Sequence, residues 1–373
     1  MASAPHAGAG LTAVAARPYP RRTDFDLKPF LGRSDAIATW QILNTLGPLG
    51  LLWAAALWSA THQPLWLLPL IALQVLFLAR CFSLMHDCGH GVLFRSDRAN
   101  RLLGFVLGIV AAIPQLPWSR GHAFHHRHNG DWQRYQGPSA LISTEAFAAL
   151  STGAQRRYRW LRHPLMLFPG GFFYLVIKPR LALLLGSIEL LPHLARTSPA
   201  GWADLLKTHN SRHWHSPSEA IDLLWNNVAV ISFWLLMGWQ FGVLRFWLIY
   251  TPLMTFAAAV FICVFFVQHN FPDSYAHRTE GWSPMAGILE GTSDLDLHPI
   301  LNWFTADIGC HAIHHLCEAI PNYRLRAAHN SNVTLLGNVR RLKLSDLSGC
   351  FDYILWDPEA SRLTTIAAQG QFA

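Results

Sequence analysis

The sequence is short of charge. Asp, Glu, Lys and Arg make up 14% of its 373 residues, against about 25% in a typical soluble domain. The hydrophobic fraction is 51%, with 16 Trp and 22 Phe, and the mean hydropathy is +0.21. This composition excludes an ordinary soluble enzyme and predicts an integral membrane protein with a polar part.

The sequence also lacks a C-x-x-C pair and a basic helix with base-reading polar residues. Its six cysteines are predicted to be buried, reduced thiols, as expected in a reducing compartment. The net charge of +7 suits nucleic acid, anionic lipid or an acidic partner protein. Because the chain is apolar throughout, membrane lipid is the favoured partner and nucleic acid is not expected.

Three regions follow from composition. Residues 1–34 are rich in Ala, Gly and Pro, with no acidic residue before Asp24, and are predicted to be a flexible basic segment. The segment has no apolar run of the kind that marks a secretory signal. Residues 35–345 form the predicted membrane domain, and residues 346–373 are predicted to be a C-terminal tail.

Four apolar stretches approach the roughly 20 residues that span a bilayer. They form two hairpins, about 36–60 with 65–84 and about 221–244 with 246–267. Residues 166–191 are interrupted by Pro and by charge, and are predicted to lie on the surface. Residues 102–116 are predicted to be interfacial or re-entrant. The predicted fold is therefore an all-α integral membrane protein with four transmembrane helices in two hairpins and a cytoplasmic helical cap.

Two hairpins return the chain to its starting side each time, so all polar segments other than the hairpin turns should share one face. The turns carry only Arg245, whereas the opposite side carries many cations. By the positive-inside rule that side is cytoplasmic. The N-terminus and the polar segments are therefore predicted to be cytoplasmic. The cations on that side include Arg17, Arg21, Arg22, Arg33 and Arg80.

Histidine is abundant, with 20 residues, and three clusters stand out. Residues 86–90 read HDCGH, residues 122–126 read HAFHH and residues 311–315 read HAIHH. We call them box 1, box 2 and box 3. Positions i, i+3 and i+4 share one face of a helix, and imidazole suits iron, zinc or copper. One such spacing occurs by chance, but three on one predicted side of the membrane indicate a metal site.

Eight imidazoles are too many for one metal ion, so the boxes predict two ions with four or five ligands each. His269 ends the last apolar stretch on the same side and is a candidate ninth ligand. Ligating histidines usually donate their second N–H to a carboxylate or carbonyl; Asp87, Asp131 and Asp307 are candidates for that role. The predicted ligands are His86, His90, His122, His125, His126, His269, His311, His314 and His315.

In this order, and with two hairpins around them, the three boxes resemble those of the membrane fatty acid desaturases. Residues 266–271, FVQHNF, are similar to the Q-H motif at the end of the last span in acyl-lipid desaturases. WFT at 303–305 and IPNY at 320–323 are similar to the third-box surroundings of the Δ12/ω-6 and ω-3 branch. The resemblance covers about residues 36–345. RHNGD at 127–131 departs from the family pattern, which bears on substrate and regioselectivity.

The resemblance implies an oxidoreductase with two iron ions that uses O₂ to introduce a cis double bond into a fatty acyl chain, of the Δ12/ω-6 type on an acyl lipid. His298–Pro299 is followed by Ile300, so the chain lacks the His-Pro-Gly-Gly motif of a fused cytochrome b5. A separate electron donor, ferredoxin or cytochrome b5, is therefore implied.

Two alternatives remain open at this point. A related histidine-box oxygenase, such as a fatty acyl hydroxylase, an epoxygenase or a carotenoid ketolase, would add an oxygen atom and not remove two hydrogens. A membrane metal transporter would carry ionisable residues inside its spans, but the four apolar stretches have almost none in their central parts.

Overall fold

A computed structural model of the chain describes residues 19–209 and 211–369. Helices dominate it. In the first part of the chain they are α1 (Asp35–His62), α2 (Leu67–Gly89), α3 (Asp97–Val110), α4 (Gln115–His128), α5 (Thr144–Ala148), α6 (Thr152–Leu161), α7 (Leu167–Phe172), α8 (Lys178–Arg196) and α9 (Trp202–Thr208). In the second part they are α10 (Pro217–Phe241), α11 (Val243–Val267), α12 (Pro284–Leu289), α13 (Pro299–Phe304), α14 (His311–Leu316), α15 (Asn322–Ser331), α16 (Leu347–Cys350) and α17 (Ile366–Gln369).

The long helices begin and end at recognisable signals. The Ser34 hydroxyl accepts the Ile37 N–H at the start of α1, and Ser216 accepts that of Glu219 at the start of α10. Gly242 separates α10 from α11 with φ of +88°, a conformation that favours glycine. A single residue therefore turns the chain between the helices of the second hairpin.

Within the described residues, five helical units are long and apolar enough to cross a membrane, against the four in the prediction. The additional unit is the helix Pro164–Arg196, which the sequence analysis placed on the surface. It continues through its prolines because a π-helical turn, Phe173–Ile177, precedes Pro179. Pro179 has no N–H to offer the Leu175 carbonyl, and the Arg180 guanidinium donates to that carbonyl at 3.2 Å.

Helices α3 and α4 meet at an angle of 103° across residues 111–114, the geometry of a broken span or of a re-entrant loop. The sharp turn depends on Gly108, since a side chain there would come within 2.6 Å of the Ile113 carbonyl oxygen. Ala112 has φ of +57° within the turn. The chain thus returns toward box 1 and brings box 2 with it.

The described residues also form two small sheets, so the fold is mostly helical and not all-α. One sheet has the order β1 (Ile142–Ser143), β4 (Tyr353–Asp357) and β5 (Arg362–Thr365), and the other pairs β2 (Ser293–Leu295) with β3 (Arg340–Leu342). β1 runs parallel to β4, β4 antiparallel to β5, and β2 parallel to β3. Residues that are distant in the chain thereby close the polar cap.

The first sheet includes residues that were predicted to belong to a C-terminal tail. Leu355 and Trp356 of β4 are buried, and the Trp356 ring stacks on Trp132 with centroids 4.5 Å apart. The Asn270 side chain donates to the Tyr353 carbonyl at 2.9 Å. Residues 353–365 are therefore an integral part of the cap, because two apolar side chains of the strand face its core.

Residues 19–34, which were predicted to belong to a flexible basic segment, also pack against the rest of the chain. Phe25 and Leu27 are buried in a cluster with Ile313 and Leu316 of the box 3 helix. The Asp26 N–H donates to the Asn332 side chain at 2.8 Å. Phe25 and Leu27 were not predicted to be buried, because the apolar content averaged over residues 1–34 is low. Residues 1–18, with Arg17, lie outside the described part.

Candidate metal centre

The structure brings all nine predicted histidines together at the polar ends of four helices. His86 lies in the last turn of α2 and His90 follows it directly. Box 2 occupies the end of α4, and box 3 forms most of the short helix α14. His269 comes directly after α11 and Gln268. Segments up to 229 residues apart in sequence therefore share one site.

The imidazoles separate into two groups, in each of which the potential ligand atoms lie within 4.8 Å of one another. Helix geometry produces the division, because neighbouring residues point about 100° apart and positions i and i+4 point the same way. His125 and His126 are therefore in different groups, as are His314 and His315. The five-histidine group contains His86, His90, His122, His126 and His314, and the four-histidine group contains His125, His269, His311 and His315.

The nitrogen spacing fits metal coordination. His122 and His126 approach Nε2 to Nε2 at 2.9 Å, and His126 and His314 at 3.1 Å. In the four-histidine group, His269 and His311 approach at 3.0 Å. Imidazole nitrogens bound at roughly 2.0–2.1 Å from one ion and 90–109° apart would lie about 2.8–3.4 Å from each other. The ring edges already have this spacing.

Several of these nitrogens are buried without a hydrogen-bond partner in the described part of the chain. They include both ring nitrogens of His125 and both of His315. Burying a polar atom without a partner costs free energy, and functional sites are where such atoms persist. Each unpartnered nitrogen directed at its group is a position that a metal ion would satisfy.

The protonation state of four histidines also favours metal binding. These are His269, His311, His314 and His315, which we call the cap histidines. Burial lowers the pKa of His269 to about 4, against the opposing effect of its hydrogen bond to the Gly291 carbonyl. Burial, followed by the neighbouring imidazoles, lowers the pKa of His311, His314 and His315 well below the usual range. At neutral pH these rings are therefore uncharged and offer lone pairs to a metal.

Asp87 is the predicted carboxylate that does contact a box histidine. Its Oδ1 lies 3.1 Å from His86 Nδ1. Its Oδ2 accepts from both the backbone and the side-chain N–H of Asn322, at 2.7 and 2.8 Å. Asp87 thus orients the His86 ring and joins box 1 to the start of α15.

The structure places the other two predicted carboxylates elsewhere. Asp131 Oδ1 accepts from the Thr279 hydroxyl at 2.7 Å, and its Oδ2 lies 3.6 Å from Arg134. Asp307 pairs with Arg326. Closeness in sequence to a box was the only reason to choose them, and the backbone turns both side chains away. Asp307 itself has φ of +56°.

A further carboxylate, Glu318, does contact a box histidine, although it was not among the residues predicted from the sequence. Its Oε2 lies 3.3 Å from His90 Nδ1 and 3.9 Å from His126 Nδ1. The hydrogen bond to His90 lowers the pKa of Glu318. Glu318 therefore contacts a box 1 ring and lies near a box 2 ring, whose Nδ1 has no hydrogen-bond partner among the described residues. Its position, one helical turn after His314 and His315, was the available signal.

Asp294 is another carboxylate that was not predicted from the sequence. It contacts the backbone of the box 3 helix and not a box imidazole. Its Oδ1 accepts the Ala312 N–H at 2.9 Å, at the start of α14. Its Oδ2 lies 3.3 Å from His329 Nδ1. Burial raises the pKa of Asp294, and the adjacent His329 opposes the shift. This buried pair positions the box 3 helix.

His128, His213 and His215 belong to neither group. The His128 ring Nδ1 lies 2.9 Å from the Phe124 carbonyl, and its ring packs on Phe124. His213 faces Glu189 at 3.6 Å. The His215 N–H donates to Glu219. These contacts are those of ordinary structural histidines.

A cavity of about 460 Å³ adjoins both groups. His86 and His122 border it from one group, and His125 and His311 from the other. Its remaining wall is largely aromatic and aliphatic, contributed by α2, α4, the π-helical turn and α11. Six aromatic residues line it: Phe82, Trp118, Tyr135, Tyr174, Phe261 and Phe265. Such a cavity fits an apolar chain laid against the histidines.

Long apolar helices that end in a two-part histidine cluster beside an apolar cavity define a class: membrane-associated proteins with a histidine-rich metal site. A sequence model of the fatty acid desaturase family matches residues 72–338. The chain belongs to the fatty acid desaturase family and is therefore an oxidoreductase.

Individual relatives agree. A fatty acid desaturase of Bacillus subtilis is 28% identical over 333 residues, which cover 88% of this chain and 85% of that protein. The sn-1 oleoyl-lipid 12-desaturase of Synechocystis is 26% identical, covering 68% of this chain and 64% of the relative. The sn-1 acyl-lipid omega-3 desaturase (ferredoxin) of Synechocystis is 25% identical, covering 70% and 65%.

Proposed function

We propose that each histidine group binds one iron ion and that this di-iron centre uses O₂ to desaturate a fatty acyl chain held in the cavity. The observation that carries the proposal is the position of nine converging imidazoles, in groups of five and four, beside an apolar cavity. All nine predicted histidines are the proposed ligands.

Iron is the proposed metal because the reaction is oxidative. Zinc has no redox chemistry, whereas imidazole also suits iron. Bound iron would supply the O₂ chemistry that no amino-acid side chain provides. The nitrogen spacing and the neutral state of the rings are compatible with this choice.

The contribution of the protein is position and exclusion of water. Phe82, Trp118 and Phe265 give the cavity an apolar wall that favours methylene groups over water. Because histidines from both groups border the same cavity, a chain within it would pass both. Asp87 and Glu318 contact the Nδ1 atoms of His86 and His90, which leaves the Nε2 atoms of these two rings directed at each other within the group.

The proposed substrate is the acyl chain of a membrane lipid, and the proposed product is a cis double bond of the Δ12/ω-6 type. The support is the similarity to a relative named as an oleoyl-lipid 12-desaturase, together with FVQHNF, WFT and IPNY around the site. The ferredoxin named in another relative supports a separate donor, ferredoxin or cytochrome b5.

We infer four crossings of the membrane in two hairpins. Box 2 and box 3 meet at one site, so an even number of crossings must separate them. α10 and α11 provide two crossings. Despite its length, the helix Pro164–Arg196 would therefore stay on one side of the membrane, or enter the membrane and return to the same side. The bent pair of α3 and α4 is then re-entrant, since boxes 1 and 2 also meet. The cap would hold the centre on this side.

The cytoplasmic side is proposed for the boxes and the N-terminus. Residues 19–34 pack on the box 3 helix and so lie on the same side as the boxes. Arg21 and Arg22 are exposed there. Arg80 is buried, where its Nε donates to Thr45 and its guanidinium lies 3.8 Å from the Trp303 ring centre. It therefore no longer counts as a cytoplasmic charge.

The decisive experiment expresses the full chain in a host whose lipids are only saturated and monounsaturated. Fatty acid methyl esters are then analysed by mass spectrometry, and iron is measured in the purified protein. A new diunsaturated acid and about two irons per chain are expected. His128→Ala is the matched control, because it removes a histidine that lies outside both groups. A product heavier by one oxygen, or an iron-free folded protein, would contradict the proposal.

A further inference from the structure

A second large concavity lies outside the histidine site, between α3 and α10. It measures about 710 Å³ and shares none of its lining with the 460 Å³ cavity. Its floor includes the start of α4, at Gln115 and Leu116. It is a groove on the outer surface of the α3–α4 hairpin that carries box 2.

Each flanking helix contributes one face. On α3 the lining residues are Arg98, Arg101, Leu102 and Phe105, which follow helical spacing. On α10 they begin at Ser218 and Ile221 and continue through residues 225, 228 and 229 with the same spacing. Two ridges of this kind enclose a channel that runs along the helices.

The channel is polar at one end and apolar along the rest. From Arg98 to Phe105 the helix rises about 10 Å. The Asn226 side chain donates to the Ile113 carbonyl, which places the α3–α4 turn well down α10. Along α3 both arginines precede the apolar lining residues. They therefore lie toward the N-terminal end of this helix, which we call the upper end of the groove, and Leu102 and Phe105 lie below them.

The apolar part of the groove is open. Leu102, Ile221 and Trp225 are 64%, 56% and 57% exposed. Exposed apolar surface of this extent marks an interaction site. Bilayer hydrocarbon is the neighbour that a chain with these helices would have at this depth.

The two arginines are free of acidic partners among the described residues. Ion pairs occupy other arginines there, namely Arg120, Arg134, Arg326 and Arg362. Asp222 lies in the groove, but its Oδ2 accepts the Leu116 N–H at 3.0 Å and the residue is buried. Asp97 is exposed at the start of α3 but does not line the groove, so the exposed charge that lines the upper end is positive.

We propose that this groove binds one anionic phospholipid of the bilayer. The phosphate would lie between Arg98 and Arg101, and an acyl chain would follow Leu102, Phe105 and Trp225. Basic pockets between membrane helices on the cytoplasmic side bind anionic head groups in this way. The lipid would brace the hairpin that presents box 2. The inference rests on the proposed membrane location but not on desaturation.

The test counts lipids bound to the full chain in maltoside detergent by native mass spectrometry. Dioleoyl-phosphatidylglycerol is compared with dioleoyl-phosphatidylcholine, which has the same chains but no net charge. The expected result is one phosphatidylglycerol bound about tenfold or more tightly than phosphatidylcholine. In Arg98→Gln/Arg101→Gln that preference is lost, and one fewer tightly bound lipid remains per chain.

The matched control is Arg156→Gln/Arg157→Gln, which removes the same charge from exposed positions on α6 outside the groove. It should keep the wild-type preference. Equal loss in both variants, no loss in the groove variant, or displacement by tail-free glycerol phosphate at the same concentration would overturn the proposal. No arm measures desaturation, so a failure here and a failure of the proposed enzyme activity are distinguishable.

Discussion

The two histidine groups differ in what supports their rings. In the five-histidine group, two Nδ1 atoms contact carboxylates, His86 with Asp87 and His90 with Glu318. Within the described residues, the Nδ1 atoms of His126 and His314 have no hydrogen-bond partner. In the four-histidine group, His269 Nδ1 lies 3.1 Å from the neutral Gly291 carbonyl oxygen. In the described residues, the Nδ1 atoms of His311 and His315 have no partner.

The difference predicts unequal metal sites within one centre. A carboxylate that accepts the Nδ1–H of a ring orients the ring and makes its other nitrogen a more basic ligand. The five-histidine group should therefore hold its ion more tightly. The four-histidine group depends on packing in the cap, where the helix of box 3 is positioned by Asp294.

The largest expected effect comes from removing one ligand of each group. His314→Ala and His315→Ala should each abolish product, because both proposed irons are needed. Iron content should fall from about two toward one per chain in either variant, while membrane insertion, which depends on hydropathy, is kept. Product analysis and metal analysis check this. His128→Ala should behave as wild type, and retained activity in His314→Ala would remove that residue from the proposed ligands.

A smaller effect distinguishes the groups. Glu318→Ala should weaken metal binding by the five-histidine group about 10- to 100-fold, the usual consequence of losing such a partner. In wild type a chelator should remove the metal of the four-histidine group first, and in the variant this order should weaken or reverse. Stepwise chelation followed by metal analysis measures it. Glu280→Ala, at an exposed position outside the site, is the control; identical release curves would argue against the role of Glu318.

The pH dependence of the metal-free protein should show the burial of the cap histidines. Their pKa values are lower in the folded than in the unfolded chain, with His269 near 4. Between about pH 6.5 and 4 the unfolded state then binds more protons, so stability falls as pH falls through this range. Each such ring contributes up to about 1.4 kcal/mol per pH unit. Thermal melting in detergent should follow this trend, and a melting temperature that rises on acidification would contradict it.

The smallest expected effect concerns Asp307, a carboxylate that was predicted to contact a box histidine but lies outside the site. Asp307→Asn should leave iron content and chelation order unchanged, since Asp307 pairs with Arg326 and contacts no box histidine. Iron analysis of the purified variant suffices. A loss of metal comparable with that in Glu318→Ala would show that the sequence-based choice of Asp307 was correct.

Much of the centre could be predicted because it depends on local periodicity. The spacing of box 2 and box 3 places positions i and i+4 together and turns the neighbouring residue away, which is a property of any helix. Hydropathy likewise located α1, α2, α10 and α11. The continuity of the helix Pro164–Arg196 was not predicted, because a π-helical turn and the Arg180 guanidinium compensate for Pro179, and neither has a clear signature in sequence.

By itself the sequence determined that three histidine boxes, each with helical spacing, would accompany long apolar helices, since composition and helical spacing act over a few residues. Only the tertiary structure decided that box 1 joins His122, His126 and His314, that Glu318 contacts His90, and that residues 353–365 close the cap. These contacts join segments far apart in the chain. Their free energy comes from burying those segments against each other, and no local pattern records which distant partner a side chain will meet.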